Sequence, residues 1–451
     1  MKVFIPTNFQ AERKYTLEVF LKSFLGVEYL IVEQTEIRDT IFELENKNQL
    51  IIKDYFFNNY SDTYLYSESI PTKLKILERS CYLVDEQLPI LYGNHKIGKN
   101  VDKEITRIVC HIDIIASSFF MLSRWEEYVN KERDMHGRFP GSASLAFKNN
   151  FLNRPIVNEY LELLWNMLLD LGISQNRKER SFDLLLSHDI DVPLKWTSAA
   201  QFSKEFAGDF IKRKSPARAY QTISTYLKSK LDIHQDPYNT FSYLMDVSEQ
   251  HNTLSHFFFI SGGNSIYDNK HAMDTPFMHN VYNLIEERGH VVGFHPSYNT
   301  YNDSNRWYNE YEILKDACNY TEACGRQHYL RFEVPSTWQI WEDNNMKWDS
   351  TAGYADQIGF RCGTCYEFPV FNIITRQQLK LIEKPLIVME VTLPLWDETI
   401  TRSACTEMVK DIIEKIKKYK GTFNFLWHNS SFNIDKWKNM QEVYQCFLEY
   451  S

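Results

Sequence analysis

Several short polar clusters, each set directly behind an apolar run, carry side chains that bind metals or move protons. The first is Ser187-His188-Asp189-Ile190-Asp191, which follows Leu184-Leu185-Leu186. The others are His295 behind 290–294, Arg331 behind 327–330, Glu390 and Thr392 behind 386–389, and His428-Asn429 behind 423–427. Two carboxylates and an imidazole at the end of a buried strand are costly to keep near apolar surface unless they hold an ion or exchange protons. Taken singly, each residue has a bland reading. A histidine such as His188 is commonly a hydrogen-bonded core residue, and Arg331 could be an ordinary ion-pair partner. Taken together, their recurrence behind apolar strands has one economical explanation, a metal-assisted or acid–base hydrolytic site.

The elements that must position these residues alternate along the chain. Short apolar segments suited to strands lie at 182–187, 255–260, 290–294, 327–332, 357–361, 386–391 and 423–427, and helical spacing appears at 275–287, 307–323 and 403–418. Strand–helix alternation implies a parallel sheet with crossover helices, and seven repeats predict an α/β fold closed as a distorted seven-stranded barrel over 180–451. A lysine- and arginine-rich insertion at 193–237 interrupts the first repeat and reads as a solvated helical hairpin. Residues 1–176 read as a smaller α+β domain, with strands at 2–6, 29–33 and 40–53 and helices at 11–25, 112–129 and 156–171. The polar run 176–180 marks the expected boundary. Arg124, Glu126, Glu127 and His136 are read as a solvated helix end rather than a site.

Composition narrows the class. The chain has 451 residues, 43% of them hydrophobic, enough for a large core. A net charge of −9 argues against a nucleic-acid binder. No apolar stretch approaches the ~20 residues of a membrane span. The opening Met1-Lys2-Val3-Phe4-Ile5-Pro6 does not read as a signal peptide, so a cytoplasmic location is expected. The eight cysteines, Cys362-Gly-Thr-Cys365 included, are expected to be buried reduced thiols. Aromatics near the polar clusters (Tyr298, Tyr301, Trp307, Trp338, Trp341, Trp348, Trp396, Trp427) are expected to be mostly core, with a minority suited to stacking on sugar rings.

With these residues laid out, 180–451 resembles the polysaccharide deacetylase family, the carbohydrate esterases with a nodulation-type deacetylase homology domain. Ser187-His-Asp-Ile-Asp191 is similar to the family's first motif, Gly289-His-Val-Val-Gly-Phe-His295-Pro-Ser-Tyr-Asn299 to its second, Leu330-Arg331-Phe332 to its third, and Phe425-Leu-Trp-His428 to its last. Asn299 stands where the family carries a second histidine. Ser123-Arg-Trp-Glu-Glu-Tyr128 and His136-Gly-Arg-Phe139 look like the uncharacterised domain that precedes some bacterial deacetylase-like domains.

The resemblance implies removal of acetyl groups from N-acetylated sugars with a divalent metal, often zinc. Asp191, His295 and Asn299 are then the metal ligands, with His188 as a further candidate to complete the shell. Asp189 is the general base, Arg331 its ion-pair partner, His428 the general acid, and Glu390 the residue that orients His428. The implied partner is a carbohydrate, with no nucleic acid and no membrane span. Because Asn299 departs from the motif, a non-catalytic glycan-binding or scaffolding module on the same barrel is the alternative.

Overall fold

Val3 and Ile5, alternate residues of the strand Lys2–Pro6, are fully buried, the period-two pattern of a strand with one face on a core. The computed structural model describes all residues except 269–272, 319–321, 394–401 and 434–439. It is a mixed α/β protein that packs as two units. The first comprises Met1–Asp183, Leu330–Ile387 and Ile412–Phe423; the second comprises Leu184–Tyr329, Val388–Asp411 and Asn424–Ser451.

The first unit holds a six-stranded mixed sheet in the order Leu30–Gln34, Lys2–Pro6, Thr40–Glu43, Gln49–Ile52, Ile105–Ile112, Gly93–Asp102. The apolar helices Ile114–Ser123 and Ile156–Asp170 also belong to it. Where the sequence predicts a linear boundary near 176–180, packing is discontinuous, and long-range hydrogen bonds are the reason. The Tyr15 hydroxyl donates to the Pro369 carbonyl (2.8 Å) and the Gly141 amide to Asp356 Oδ1 (2.8 Å). The Cys365 amide donates to Asn158 Oδ1 (3.2 Å).

The helix expected over 112–129 is two helices, Ile114–Ser123 and Trp125–Val129, broken at Arg124, whose φ of 55° is left-handed. That break turns the supposedly solvated end inward. Arg124, Glu126 and Glu127 are all buried. Arg361 Nε and Nη2 grip Glu127 Oε1 and Oε2 at 2.9 and 2.5 Å, and Arg124 Nε donates to Oε1 at 2.8 Å. The segment 357–361, expected as a strand, is a loop instead. Gly359 at φ 137° is within hydrogen-bonding reach of the Ile387 carbonyl (3.0 Å), and the Phe360 amide donates to Leu152 O (2.8 Å). Cys362 and Cys365 are buried unpaired thiols, and burial pushes the Cys365 thiol up to about 12.

The second unit is built on a row of strands in the order Cys324–Gly325, Val291–Phe294, Ser255–Phe259, Asp183–Ile190, Thr422–Leu426, Val388–Met389. The pairs Ser255–Phe259 with Asp183–Ile190, Ser255–Phe259 with Val291–Phe294, Val291–Phe294 with Cys324–Gly325, and Val388–Met389 with Thr422–Leu426 are parallel, so their C-terminal ends lie on one side. Residues from Leu185 to Ile190 are buried without alternation, as a strand covered on both faces requires. Among the described residues no pairing closes this row into a ring, and the closed seven-strand barrel is not seen. Two expected strands are lost, 357–361 to the loop above and 327–332 to a turn in which Tyr329 and Leu330 are left-handed (φ 60° and 51°). Helices Phe241–Gln250, Pro276–Glu287 and Ser304–Ala317 connect the strands, and the insertion is helical over Ala199–Ala207, Gly208–Lys212 and Pro216–Leu231. No helix among the described residues is long and apolar enough to cross a membrane.

Candidate metal centre

Strand Asp183–Ile190 carries Asp189 at its end and Asp191 one residue beyond, and the neighbouring strand Val291–Phe294 delivers His295. These strands are short, apolar and fixed by their neighbours, so the residues behind them are held on rigid supports. His295 Nε2 lies 3.2 Å from Asp191 Oδ1 and 3.7 Å from Asp189 Oδ2. The third member is His328, whose Nε2 is 3.4 Å from the same Asp191 oxygen. Ligand-capable atoms of Asp191, His295 and His328 all fall within 4.8 Å of one another.

Each imidazole is oriented by a partner on its other nitrogen. His295 Nδ1 meets the Arg326 carbonyl at 2.5 Å, which places its proton on Nδ1 and leaves the Nε2 lone pair facing Asp191. His328 Nδ1 meets Asp268 Oδ1 at 3.1 Å, a carboxylate–histidine pairing typical of metal ligands. Asp268 also accepts from the Tyr298 and Ser265 amides (2.9 and 3.0 Å). Burial alone would raise its carboxyl, but these bonds, with His328 first, bring it down to about 2.

Asp191 Oδ1 and His295 Nε2 are buried, yet neither completes a hydrogen bond with the described residues. Buried polar atoms are normally satisfied, and lone pairs converging on one point fit a cation. Burial would raise the Asp191 carboxyl, but His328, His295 and His428 hold it well below the usual carboxylate range. His295 moves the other way: burial opposes its charge, and Asp189 and Asp191 outweigh burial and raise its pKa.

Around this trio stand two further pairs. Arg326 Nη1 donates to Asp189 Oδ1 at 2.8 Å and Nη2 to Ser187 Oγ at 2.9 Å. His428 Nδ1 is 2.6 Å from Glu390 Oε1, which also accepts from Ser431 Oγ (2.6 Å), while His428 Nε2 lies 3.8 Å from Asp191 Oδ2. Burial disfavours a charged His428, but Glu390, then Asp191 and Asp189, push its pKa up to about 10.

The structure therefore gathers Asp189, Asp191, His295, His428 and Glu390. It differs from expectation in three places. His328, which is not among the expected ligands, joins Asp191 and His295, while Asn299 is half-buried in the Ser297–Thr300 turn (Thr300 Oγ1 to Ser297 O, 2.7 Å); the buried amide of Gln327 ties the segment before His328 to Pro296, Ser297 and Thr300. The arginine paired with Asp189 is Arg326; Arg331 lies in the first unit, where its Nε donates to the His136 carbonyl (2.9 Å). His188 is a core residue bonded to Trp427 O (2.8 Å) and Ser255 Oγ (3.0 Å), and burial drops its pKa to about 3. Asn429 is likewise structural, donating to Val192 O and Tyr238 O at 3.0 and 2.9 Å.

Sequence reasoning passed over Arg326, His328 and Asp268. The signal for two of them was available: Arg326-Gln327-His328 follows the apolar-to-small Ala323-Cys324-Gly325 stretch just as Ser187-His188-Asp189 follows three leucines. Of the aromatics, Trp307, Trp338, Trp341, Trp348 and Trp427 are core and Trp396 lies outside the described residues. Tyr298 packs at a tilt against Tyr267 (centroids 4.4 Å) and contacts Tyr329 (5.3 Å), which in turn sits 4.8 Å from the His328 ring.

Fold and site together define a mixed α/β protein with a candidate centre of two histidines and one aspartate. Residues 1–172 match the model of a family of unknown function, DUF7033. No curated protein matches the chain.

Proposed function

We propose that the second unit is a divalent-metal hydrolase, with zinc the expected ion, acting on the N-acetyl group of a carbohydrate. The observation that carries this reading is the convergence of unsatisfied Asp191 Oδ1 and His295 Nε2 with His328 Nε2, each imidazole fixed from behind. A divalent ion held there polarises a carbonyl and acidifies water. Asp189, paired with Arg326, is the base that takes the proton of the attacking water. His428, held charged by Glu390, donates to the leaving amine. Arg326 thus has the role that the family resemblance gives to Arg331. The tyrosines 267, 298 and 329 beside His328 support a sugar ligand, since flat apolar faces with polar rims suit pyranose rings. The strand row stands for the family's distorted barrel in this reading, with the same motif-bearing ends.

Metal content and acetate release from N-acetylated oligosaccharides test it. The purified protein is expected to hold about one equivalent of divalent ion that is lost in His295→Ala. Asp189→Asn is expected to keep the ion and lose about 10²–10⁴-fold in turnover. Absence of metal after reconstitution would sink the metal centre. Bound metal without acetate release would leave the centre standing and overturn the substrate.

A further inference from the structure

The helical insertion carries an apolar tip that neither the metal centre nor the core uses. Phe202, Phe206 and Phe210, four residues apart, stack in a ladder (centroids 6.0 and 6.3 Å). The ladder is anchored by Trp196, which is buried and contacts Phe202 at 6.1 Å, and by Tyr226, stacked on Phe202 at 4.1 Å. At its far end Phe210 is 61% exposed, Ile211 71% and Tyr220 74%.

The tip is a built turn. Buried Asp209 accepts from Thr222 Oγ1 (2.6 Å), pairs with Arg213, and its carbonyl accepts from the Ser215 amide (3.0 Å). These bonds tie Gly208–Lys212 to Pro216–Leu231 and hold Phe210 and Ile211 outward at a fixed place. Lys212, Arg213 and Lys214 follow immediately, so that 204–218 holds five basic residues against Glu205 and Asp209 in a chain of net charge −9.

We propose that this tip docks the protein onto an anionic phospholipid surface, with Phe210 and Ile211 entering the headgroup boundary and Lys212 and Lys214 meeting the phosphates, while Arg213 holds the turn through Asp209 and Glu205. Exposed apolar side chains flanked by cations are what an interfacial helix needs, and an anionic surface supplies the opposite sign. A second copy is a poor occupant, because a two-fold contact would set two positive tips together. This attachment needs no membrane span and does not depend on the chemistry of the metal centre.

Co-sedimentation of the full chain with vesicles of phosphatidylcholine alone, or of phosphatidylcholine with phosphatidylglycerol, tests it. The protein is expected to pellet only with phosphatidylglycerol. Release is expected as salt shortens the Debye length from about 10 Å to about 3 Å. Phe210→Ser with Ile211→Ser should weaken partitioning about tenfold or more, and Lys212→Gln and Lys214→Gln about fivefold each. Far-UV circular dichroism and the unfolding midpoint of each variant confirm that the fold is kept. No binding to phosphatidylglycerol vesicles overturns the proposal, as does wild-type binding by the Phe210/Ile211 variant. Loss of a dimer in that variant, seen by light scattering, would instead assign the tip to a second copy.

Discussion

Two buried charge clusters, one in each unit, end differently. In the first unit both oxygens of Glu127 are taken by Arg361, and one is shared with Arg124. Neither oxygen lacks a donor, and what remains over is itself a donor, Nη1 of Arg124. In the second unit Asp191 Oδ1 and His295 Nε2, 3.2 Å apart, remain without a completed hydrogen bond. The first arrangement neutralises itself and holds a fold together; the second leaves buried acceptor atoms of the kind a cation would satisfy, which is the basis of the proposed metal centre. Both clusters set carboxylates against cationic or imidazole partners, so the sign of what is left over is what marks the second as the candidate site.

The largest effect expected from this contrast is in the first unit. Glu127→Ala leaves Arg124 and Arg361 buried without their carboxylate and should cost about 3–5 kcal/mol of unfolding free energy. The folded fraction is expected to retain its metal. Denaturant titration alongside metal analysis checks this, and loss of metal at unchanged stability would erase the distinction.

The neighbouring Glu126 sharpens it. Burial, opposed by Arg124, raises its pKa to about 7, whereas Glu127 is held at about 2 against burial by Arg361 and Arg124. An unfolded chain releases the Glu126 proton near its ordinary 4.5, while the folded chain keeps it until about 7. The unfolded state therefore gains as pH climbs through that window, by roughly 3 kcal/mol above it. Glu127 runs the other way: its stabilisation is present above about 4.5 and is lost as pH falls through about 2. Glu126→Gln, which keeps an acceptor for the Leu145 amide (2.6 Å), is expected to flatten the decline between pH 4.5 and 7 by that amount. An unchanged pH–stability profile would count against the burial account.

The smallest effect belongs to the support of the centre. Asp268→Asn removes the charge behind His328 and should weaken metal binding about 10–100-fold with little change in unfolding free energy. Competition with a coloured chelator reads the affinity directly. An unaltered affinity would mean that His328 is not a ligand.

Residues on strand ends were legible because their signal is local. The three leucines before Ser187 place Asp189 and Asp191 at the end of a buried strand whatever the rest of the chain does, and the same holds for His295. The pairing of His428 with Glu390 follows from the parallel register of Val388 with Phe425 and Met389 with Leu426. The helix break at Arg124 was not legible, because a residue that favours helices adopts φ 55° there only under the pull of Glu127 and Tyr354.

The amino-acid sequence by itself determined which strand ends present carboxylates and imidazoles, since an apolar run followed by such residues is a property of neighbouring residues. Only the tertiary structure decided that His328 stands with Asp191 and His295 and that Arg326 pairs with Asp189. Those choices rest on the left-handed turn at Tyr329 and Leu330 and on hydrogen bonds from Gln327 to residues about 30 positions away. Backbone dihedrals set by such distant partners have no local signature to read.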